Sequence, residues 1–260
     1  PKTSSAASDV YKRQVQKNDC WGGWLPHFHD MGLCMGILMP LYAGITSVLM
    51  SPFSFVRKPF RWLNMLSQYG CTISGSPNFG YDMCVEKISA SDIAGLDLSK
   101  LKLAMNAAEH VKIKTINAFT EKFSSDGFRH SSHYPCYGLA ESTLMITGSR
   151  VGEGVKTAKI DKQALKENRI QVLGDSNEES FCREDVAVGW GWCDHTVSIV
   201  NADTKEKCPE NEPGEIWIKG ESVASGYWQR EELSQETFNA YTQDGDCLLY
   251  TSDAADEVLG

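Results

Sequence analysis

Residues 60–88 read FRWLNMLSQYGCTISGSPNFGYDMCVEKI, and two alternating periods inside this stretch decide the fold. From Phe60 to Tyr69 apolar side chains recur at helical spacing, and Gly70 supplies the stop that commonly ends a helix. CTISGSP, Cys71 to Pro77, is strand-like and halts at proline. NFGYDMCVEKI, Asn78 to Ile88, then returns to a helical pattern. Helix, strand and helix joined by short turns predict a mostly parallel sheet covered by helices.

The same alternation continues outward. LKLAMNA, Leu101 to Ala107, reads as a buried strand, and VKIKTINAFTEKF sets Val111, Ile116, Phe119 and Phe123 along one helical face opposite Lys and Glu. Upstream, Met31 to Val56 carries no formal charge, and length alone would suggest a membrane span. Gly32, Gly36, Pro40 and Gly44 punctuate it, and ITSVLM, Ile45 to Met50, is a β-branched run after a Gly break. The reading is a buried helix, a turn and a buried strand, because parallel strands covered on both faces give near-continuous apolar runs.

Beyond about Ser149 charges crowd the chain, and after Asp185 short β-rich runs follow, HTVSIVNADT and GEIWIKG. Both ends, with SSAASDVYKRQ and LLYTSDAADE, resemble translated sequencing adaptor and do not continue the neighbouring hydrophobic pattern. The expected organisation is therefore adaptor-like 1–14, a partial α/β unit over 15–150, an insertion over 151–184, a partial β-rich subdomain over 185–246 and an adaptor-like tail over 247–260. The fold class is α/β: a mostly parallel sheet flanked by helices, followed by a smaller β-rich subdomain.

Acidic residues outnumber basic ones, 34 to 25, giving a net charge of -9 without a basic stripe, which argues against nucleic acid as a partner. Nine cysteines without a C-x-x-C pair predict reduced thiols in the cytoplasm and disfavour structural zinc. No secretory signal opens the chain.

Two stretches carry candidate chemistry. WLPHFHDMG, Trp24 to Gly32, places His27, His29 and Asp30 together, as a metal site would. Such a site needs its ligands to converge, whereas adjacent His29 and Asp30 on a strand point to opposite faces. Metal ligation is thus the weaker reading, and a packing or hydrogen-bonding role is expected for His27. HYPCYGLAESTL, His133 to Leu144, has a strand-like start, a break at Gly138 and a helix-compatible exit with Glu141 where the helix begins. That arrangement suits a loop that meets a nucleotide and its cation, although taken alone a helix-first-turn Glu is more often a dipole or capping partner.

WLPHFHDMGL, PLYAG, SGSPNFGYDMC, LKLAMNAAEHV, YPCYGLAESTL and GEIWIKGESVASGYW occur in the order found in adenylate-forming enzymes, and they resemble the fatty acyl-AMP ligases most closely. The resemblance covers about Trp24 to Phe238. It implies ATP and Mg2+ as cofactors, with Glu141 at the ATP-bound magnesium. Tyr137 matches the aromatic residue of the adenine pocket, Asn106, Ala107 and Ala108 the turn bordering adenine, and Gly138 and Leu139 the backbone turn beside the nucleotide. His29 matches the His of an HDMG motif near the junction of acyl carboxylate and α-phosphate. Met31, Gly32, Gly36, Phe79 and Gly80 are candidate walls of an acyl tunnel, with packing inside the sheet as the alternative.

The implied reaction activates a fatty acid with ATP to an acyl-adenylate and pyrophosphate, for transfer to an acyl carrier protein. The charged segment Val151 to Val172 resembles the insertion linked with retaining the adenylate, with Ile160, Leu165 and Ile170 expected to anchor it. Alternatives are an acyl-CoA synthetase, a peptide-synthetase adenylation domain or a non-catalytic ligase-like binding domain. The sequence departs from the family at Ala107, usually Gly, and at His110, often Pro. The phosphate loop and the C-terminal lysine domain of the family are not found in it, so this segment is expected to be inactive alone. Asp253 lies in adaptor-like sequence, and the family's ribose role is not carried to it.

Overall fold

The period-based reading of 60–88 holds in the computed structural model, which describes residues 15–174 and 181–250. The adaptor-like 1–14, Asp253 and the end of the tail lie outside the described residues. Ten residues, Phe60–Tyr69, form one helix that buries Trp62, Leu63, Met65 and Leu66 and ends on left-handed Gly70. Ile73–Gly75 is a fully buried strand, and Asn78–Lys87 is the next helix.

In chain order the larger sheet begins with β1 (Cys20–Gly23), β2 (Thr46–Leu49), β3 (Ile73–Gly75), β4 (Leu103–Asn106), β5 (His133–Gly138) and β6 (Met145–Gly148). A three-stranded sheet follows with β7 (Thr157–Asp161), β8 (Val172–Leu173) and β9 (Cys182–Val186), after which β10 (Trp190–Gly191) returns to the larger sheet. Its order is β10-β6-β5-β4-β3-β1-β2, parallel from β2 through β5 and antiparallel at β5–β6 and β6–β10. The remaining strands, β11 (Thr196–Val200), β12 (Glu215–Lys219), β13 (Ala240–Tyr241) and β14 (Cys247–Tyr250), form a four-stranded sheet ordered β11-β12-β14-β13.

Helices occupy the connections. They are α1 (Asp30–Leu33), α2 (Met39–Ala43), α3 (Pro52–Arg57), α4 (Phe60–Tyr69), α5 (Asn78–Lys87), α6 (Ile113–Phe123), α7 (Lys162–Lys166) and α8 (Glu231–Phe238). An aromatic chain runs through the core: Trp24 stacks on Phe55 at 4.0 Å, Trp62 meets Tyr81 at 5.5 Å, and Tyr81 meets Phe119 at 5.0 Å between ring centroids. Burying such rings removes large apolar areas from water, and stacked or edge-to-face ring pairs add about 0.5–1.5 kcal/mol each.

Four expectations are corrected. The run from Met31 is helical and turns at left-handed Gly44 as read, but Cys34–Leu38 is a π-helical turn whose freed Gly36 carbonyl accepts from Ser47 Oγ at 2.7 Å. β2 is an edge strand paired only with β1 and is half exposed rather than buried, since the covered-on-both-faces rule applies to inner strands. The exit from HYPCYGLAESTL is a single 3-10 turn, Ala140–Ser142, followed by antiparallel β6 rather than a helix. Cys247–Tyr250, assigned to the tail, forms β14, where Leu248 and Leu249 are buried, so the hydrophobic pattern continues to 249. Among the described residues no helix is long and apolar enough to cross a membrane.

The charged segment folds as the small sheet, and β9 runs across the boundary drawn at 184/185. Ile160, Leu165 and Ile170 are only half buried there. The contact with α6 is made instead by Val155, Val186 and Val188, clustered with Val111, Ile113 and Ile116. Ala164 is the buried residue of α7.

Candidate active site

Parallel strands place their following loops side by side, and a ligand crevice forms outside their carboxyl ends. Here three such loops meet. The segment 28–31 lies after β1, Ala107 and Ala108 after β4, and Tyr137 to Glu141 at the end of β5, and together they line a cavity of about 400 Å3. Its remaining walls include Met105, Cys136, Leu144 and Met145. Met105 and Met145 also border an apolar chamber of about 30 Å3 with Met35, Ile73, Leu103 and Trp192.

Of the residues singled out by sequence, the cavity gathers His29, Met31, Ala107, Ala108, Tyr137, Gly138, Leu139 and Glu141. Asn106 is buried just behind it. Gly32, Gly36, Phe79 and Gly80 do not line it. A Cβ on Gly32 would come within 2.1 Å of the Pro26 carbonyl oxygen, and one on Gly80 within 2.0 Å of Ser76 Oγ, so these glycines serve close packing. Gly36 faces Leu49 and Trp21, and Phe79 is half exposed with its ring edge on Trp24.

The HFHD stretch is not a strand. His29 is the N-cap of α1 and Asp30 its first residue, which brings the two side chains together instead of apart. His29 Nδ1 lies 2.6 Å from Asp30 Oδ1. As the N-cap, His29 accepts the Met31 N–H at Nδ1, 3.2 Å away, so one backbone donor holds both side chains at the head of α1. Asp30 Oδ1 also accepts the Met31 N–H at 2.6 Å, which fixes the carboxylate beside the ring. His27 is exposed and makes no hydrogen bond among the described residues, contrary to the packing role expected for it. Among those residues no group of three or more His, Cys, Asp or Glu side chains is arranged to hold a metal ion.

The turn after β4 is held by amides. Asn106 Nδ2 donates to Asn78 Oδ1 at 3.0 Å, the same oxygen accepts from Lys112 N at 3.0 Å, and Asn78 Nδ2 donates to the His110 carbonyl at 2.8 Å. Ala107, where the family usually has Gly, is not the left-handed residue; Ala108 is, at φ 69°. Cys136 in the cavity wall is inert as a nucleophile because burial pushes its thiol up to about 12.

Glu141 sits in a turn with unusual backbone. Thr143 has φ 69° and ψ -56°, and Leu144 N donates to the Ser142 carbonyl at 2.8 Å, a three-residue turn of the strained hand. Gly138 lets β5 and β6 close on it, since a Cβ there would lie 1.8 Å from the Leu144 carbonyl oxygen. The Glu141 side chain accepts Tyr227 O–H at Oε1, 2.7 Å away, and among the described residues Oε2 has no partner. A carboxylate lining the cavity with one oxygen unpartnered among those residues fits Mg2+ that arrives on phosphates, because that ion keeps waters and needs only one or two carboxylates.

A family profile described as AMP-binding enzyme matches residues 3–228. The chain belongs to that family. The match begins inside the stretch set aside as adaptor-like. Among its relatives, this AMP-binding enzyme is 42% identical over 217 residues to a medium-chain-fatty-acid–[acyl-carrier-protein] ligase of Moorena producens, covering 84% of this chain and 37% of that one. It is 39% identical to a long-chain-fatty-acid–AMP ligase of Mycobacterium marinum, covering 84% and 37%. The crystal structure of a fatty acyl-adenylate ligase from L. pneumophila, in complex with acyl adenylate and pyrophosphate, superposes with TM-score 0.88 at 38% identity, covering 95% of this chain and 44% of that one. The AMP-binding segment therefore spans well under half the length of the relatives it matches.

Sequence reasoning missed Tyr227, Ser222 and His195, which contact the Glu141 turn or its partners. No local signal marks them, because the contact joins residues 80 and 86 positions apart.

Proposed function

We propose that a full-length protein carrying this segment is a fatty acyl-AMP ligase that feeds an acyl carrier protein. The observation that supports it is the convergence of His29, the Ala107–Ala108 turn, Tyr137 and Glu141 on one cavity at the parallel strand ends. In this reading adenine rests against Tyr137 and the turn after Asn106. Gly138 and Leu139 offer main chain to the nucleotide. A fatty carboxylate oxygen forms a bond to the α-phosphorus of ATP, and the bond to the bridging oxygen breaks as pyrophosphate leaves.

His29, held with Asp30 at the head of α1, steadies the junction of carboxylate and phosphate, so catalysis lies in alignment and charge stabilisation. Mg2+ on the triphosphate supplies charge neutralisation, and Glu141 is the residue that holds it. Met31, with the neighbouring Met105 and Met145, gives the start of the acyl path flexible apolar walls. The carrier's phosphopantetheine thiol then attacks the acyl carbonyl and AMP departs. None of the nine cysteines is in a disulfide, in keeping with a cytoplasmic setting. The small sheet over 151–184 is the candidate determinant of adenylate retention.

Chromatography of products from the full-length protein with ATP, Mg2+ and fatty acids tests this. Acyl-AMP that persists with coenzyme A and is consumed by phosphopantetheinylated carrier protein is the expected result. Rapid acyl-CoA formation favours the synthetase, and no adenylate with any acid favours a non-catalytic domain.

A further inference from the structure

The strained turn that carries Glu141 is held from outside its own hairpin. Five hydrogen bonds join it to one distant segment, residues 222–227, among them Ser142 Oγ to Ser222 Oγ at 2.8 Å. Ala224 N donates to the Glu141 carbonyl at 2.8 Å, Ser222 Oγ to the Ser142 carbonyl at 3.0 Å, Thr143 Oγ1 to the Ser222 carbonyl at 3.0 Å, and Tyr227 O–H to Glu141 Oε1 at 2.7 Å. A β-branched residue with positive φ is costly by roughly 1–3 kcal/mol and persists only where its surroundings over-determine it.

Tyr227 is itself firmly mounted. Its backbone N–H donates to Ser234 Oγ at 2.8 Å, and its ring meets Phe238 at 5.1 Å between centroids. It packs with Tyr137, Leu139 and Val223 in the cluster built on Ile146, Ile218, Phe238 and Leu249. A free carboxylate on a surface turn would rotate about χ3 and present either oxygen. A phenol fixed at Oε1 removes that freedom and, by a charge-assisted bond of the strong class, leaves Oε2 as the oxygen without a partner among the described residues.

We infer that Tyr227 is a positioning residue, whose hydroxyl orients the Glu141 carboxylate for the cation on the nucleotide phosphates. The inference rests on the reading of Glu141 given above and adds the residue through which the β-rich part of the chain controls it. Tyr227 touches neither nucleotide nor acyl chain in this account; it acts through Glu141. The neighbouring His195 Nε2 to Ser222 Oγ contact, 2.6 Å, belongs to the same clamp and steadies its first residue.

The test is fatty-acid-dependent ATP–pyrophosphate exchange by the full-length protein, measured across Mg2+ concentration for the parent, Tyr227→Phe, Glu141→Gln and the double variant. Tyr227→Phe is expected to lower kcat/KM for ATP by about tenfold or more and to raise the half-saturating Mg2+, as loss of a hydrogen bond to a charged group would. Its melting temperature should stay close to the parent's, and Tyr227→Phe should add no further loss in the Glu141→Gln background. Parental rate and Mg2+ requirement in Tyr227→Phe, with Glu141→Gln inactive, overturn the inference alone, as do losses that multiply in the double variant. Full activity of Glu141→Gln overturns the reading of Glu141 and the inference with it. Should Tyr227→Phe fail to fold, Ser234→Ala removes the acceptor of the Tyr227 N–H. A raised Mg2+ requirement there supports the inference, and an unchanged one overturns it.

Discussion

The two turns that wall the cavity are built in opposite ways. The turn after β4 is tied to residues close by in the parallel sheet, through Asn106, Asn78, Lys112 and the His110 carbonyl, with Asn78 and Asn106 essentially buried. The turn after β5 takes most of its outside hydrogen bonds from residues 222–227, with His195 and Cys34 adding one contact each. The first wall is therefore part of the core, whose disruption is felt as stability. The second is set by docking of a remote segment, whose disruption is felt as geometry at one carboxylate. A site assembled this way combines a rigid face for the base with a face that can be adjusted from outside the sheet.

The sharpest break is at Asn78. Asn78→Ala leaves Asn106 Nδ2, Lys112 N and the His110 carbonyl without their partner, and buried unsatisfied groups cost about 1–3 kcal/mol each. Denaturant unfolding should show a loss of about 3 kcal/mol or more, whereas Tyr227→Phe should lose about 1 kcal/mol or less. Equal losses at the two positions would erase the distinction between the walls.

His133, at the start of β5 behind both turns, gives the next effect. Burial holds its imidazole down to about 3, against an ordinary value near 6.5, among the rings of Tyr81, Phe119 and Phe128. The unfolded chain protonates first on acidification, so stability is full above pH 6.5 and falls as pH drops from there toward 3. Between pH 6.5 and 5 this amounts to about 2 kcal/mol. His133→Phe should flatten the unfolding free energy over that window relative to the parent, and an unchanged slope would show that another group governs it.

Smallest is Ala108→Gly. The left-handed φ of 69° is easy for glycine, so the variant should gain about 1 kcal/mol or less in unfolding free energy. A loss instead would mean that the Ala108 methyl packs better than the backbone is strained.

How much was legible in the sequence follows the same division. The α4, β3 and α5 run was readable because helical and strand periods abut in it without ambiguity, and the resemblance placed Ala107, Ala108, Tyr137 and Glu141 together on one cavity. What escaped was non-local or conformational. The π-turn at Cys34–Leu38 has the same apolar pattern as an α-helix, and β2 lies at an edge that apolar content does not reveal. His29 and Asp30 were placed on opposite faces because a strand was assumed where a helix cap forms. For Gly32 and Gly80 the contacts favour the packing alternative over a tunnel wall, since small residues mark a close approach without saying of what, while Gly36 and the half-exposed Phe79 simply lie outside the cavity. Tyr227 lies 86 residues from Glu141, beyond any periodic signal.

The central claim is that Glu141 serves the nucleotide's cation at this cavity, and Glu141→Gln in the full-length protein addresses it most directly. The substitution keeps size and one oxygen while removing the charge. Fatty-acid-dependent ATP–pyrophosphate exchange at saturating Mg2+ should fall by about two orders of magnitude or more, while unfolding free energy moves by about 1 kcal/mol or less. Exchange at the parental rate would contradict the account.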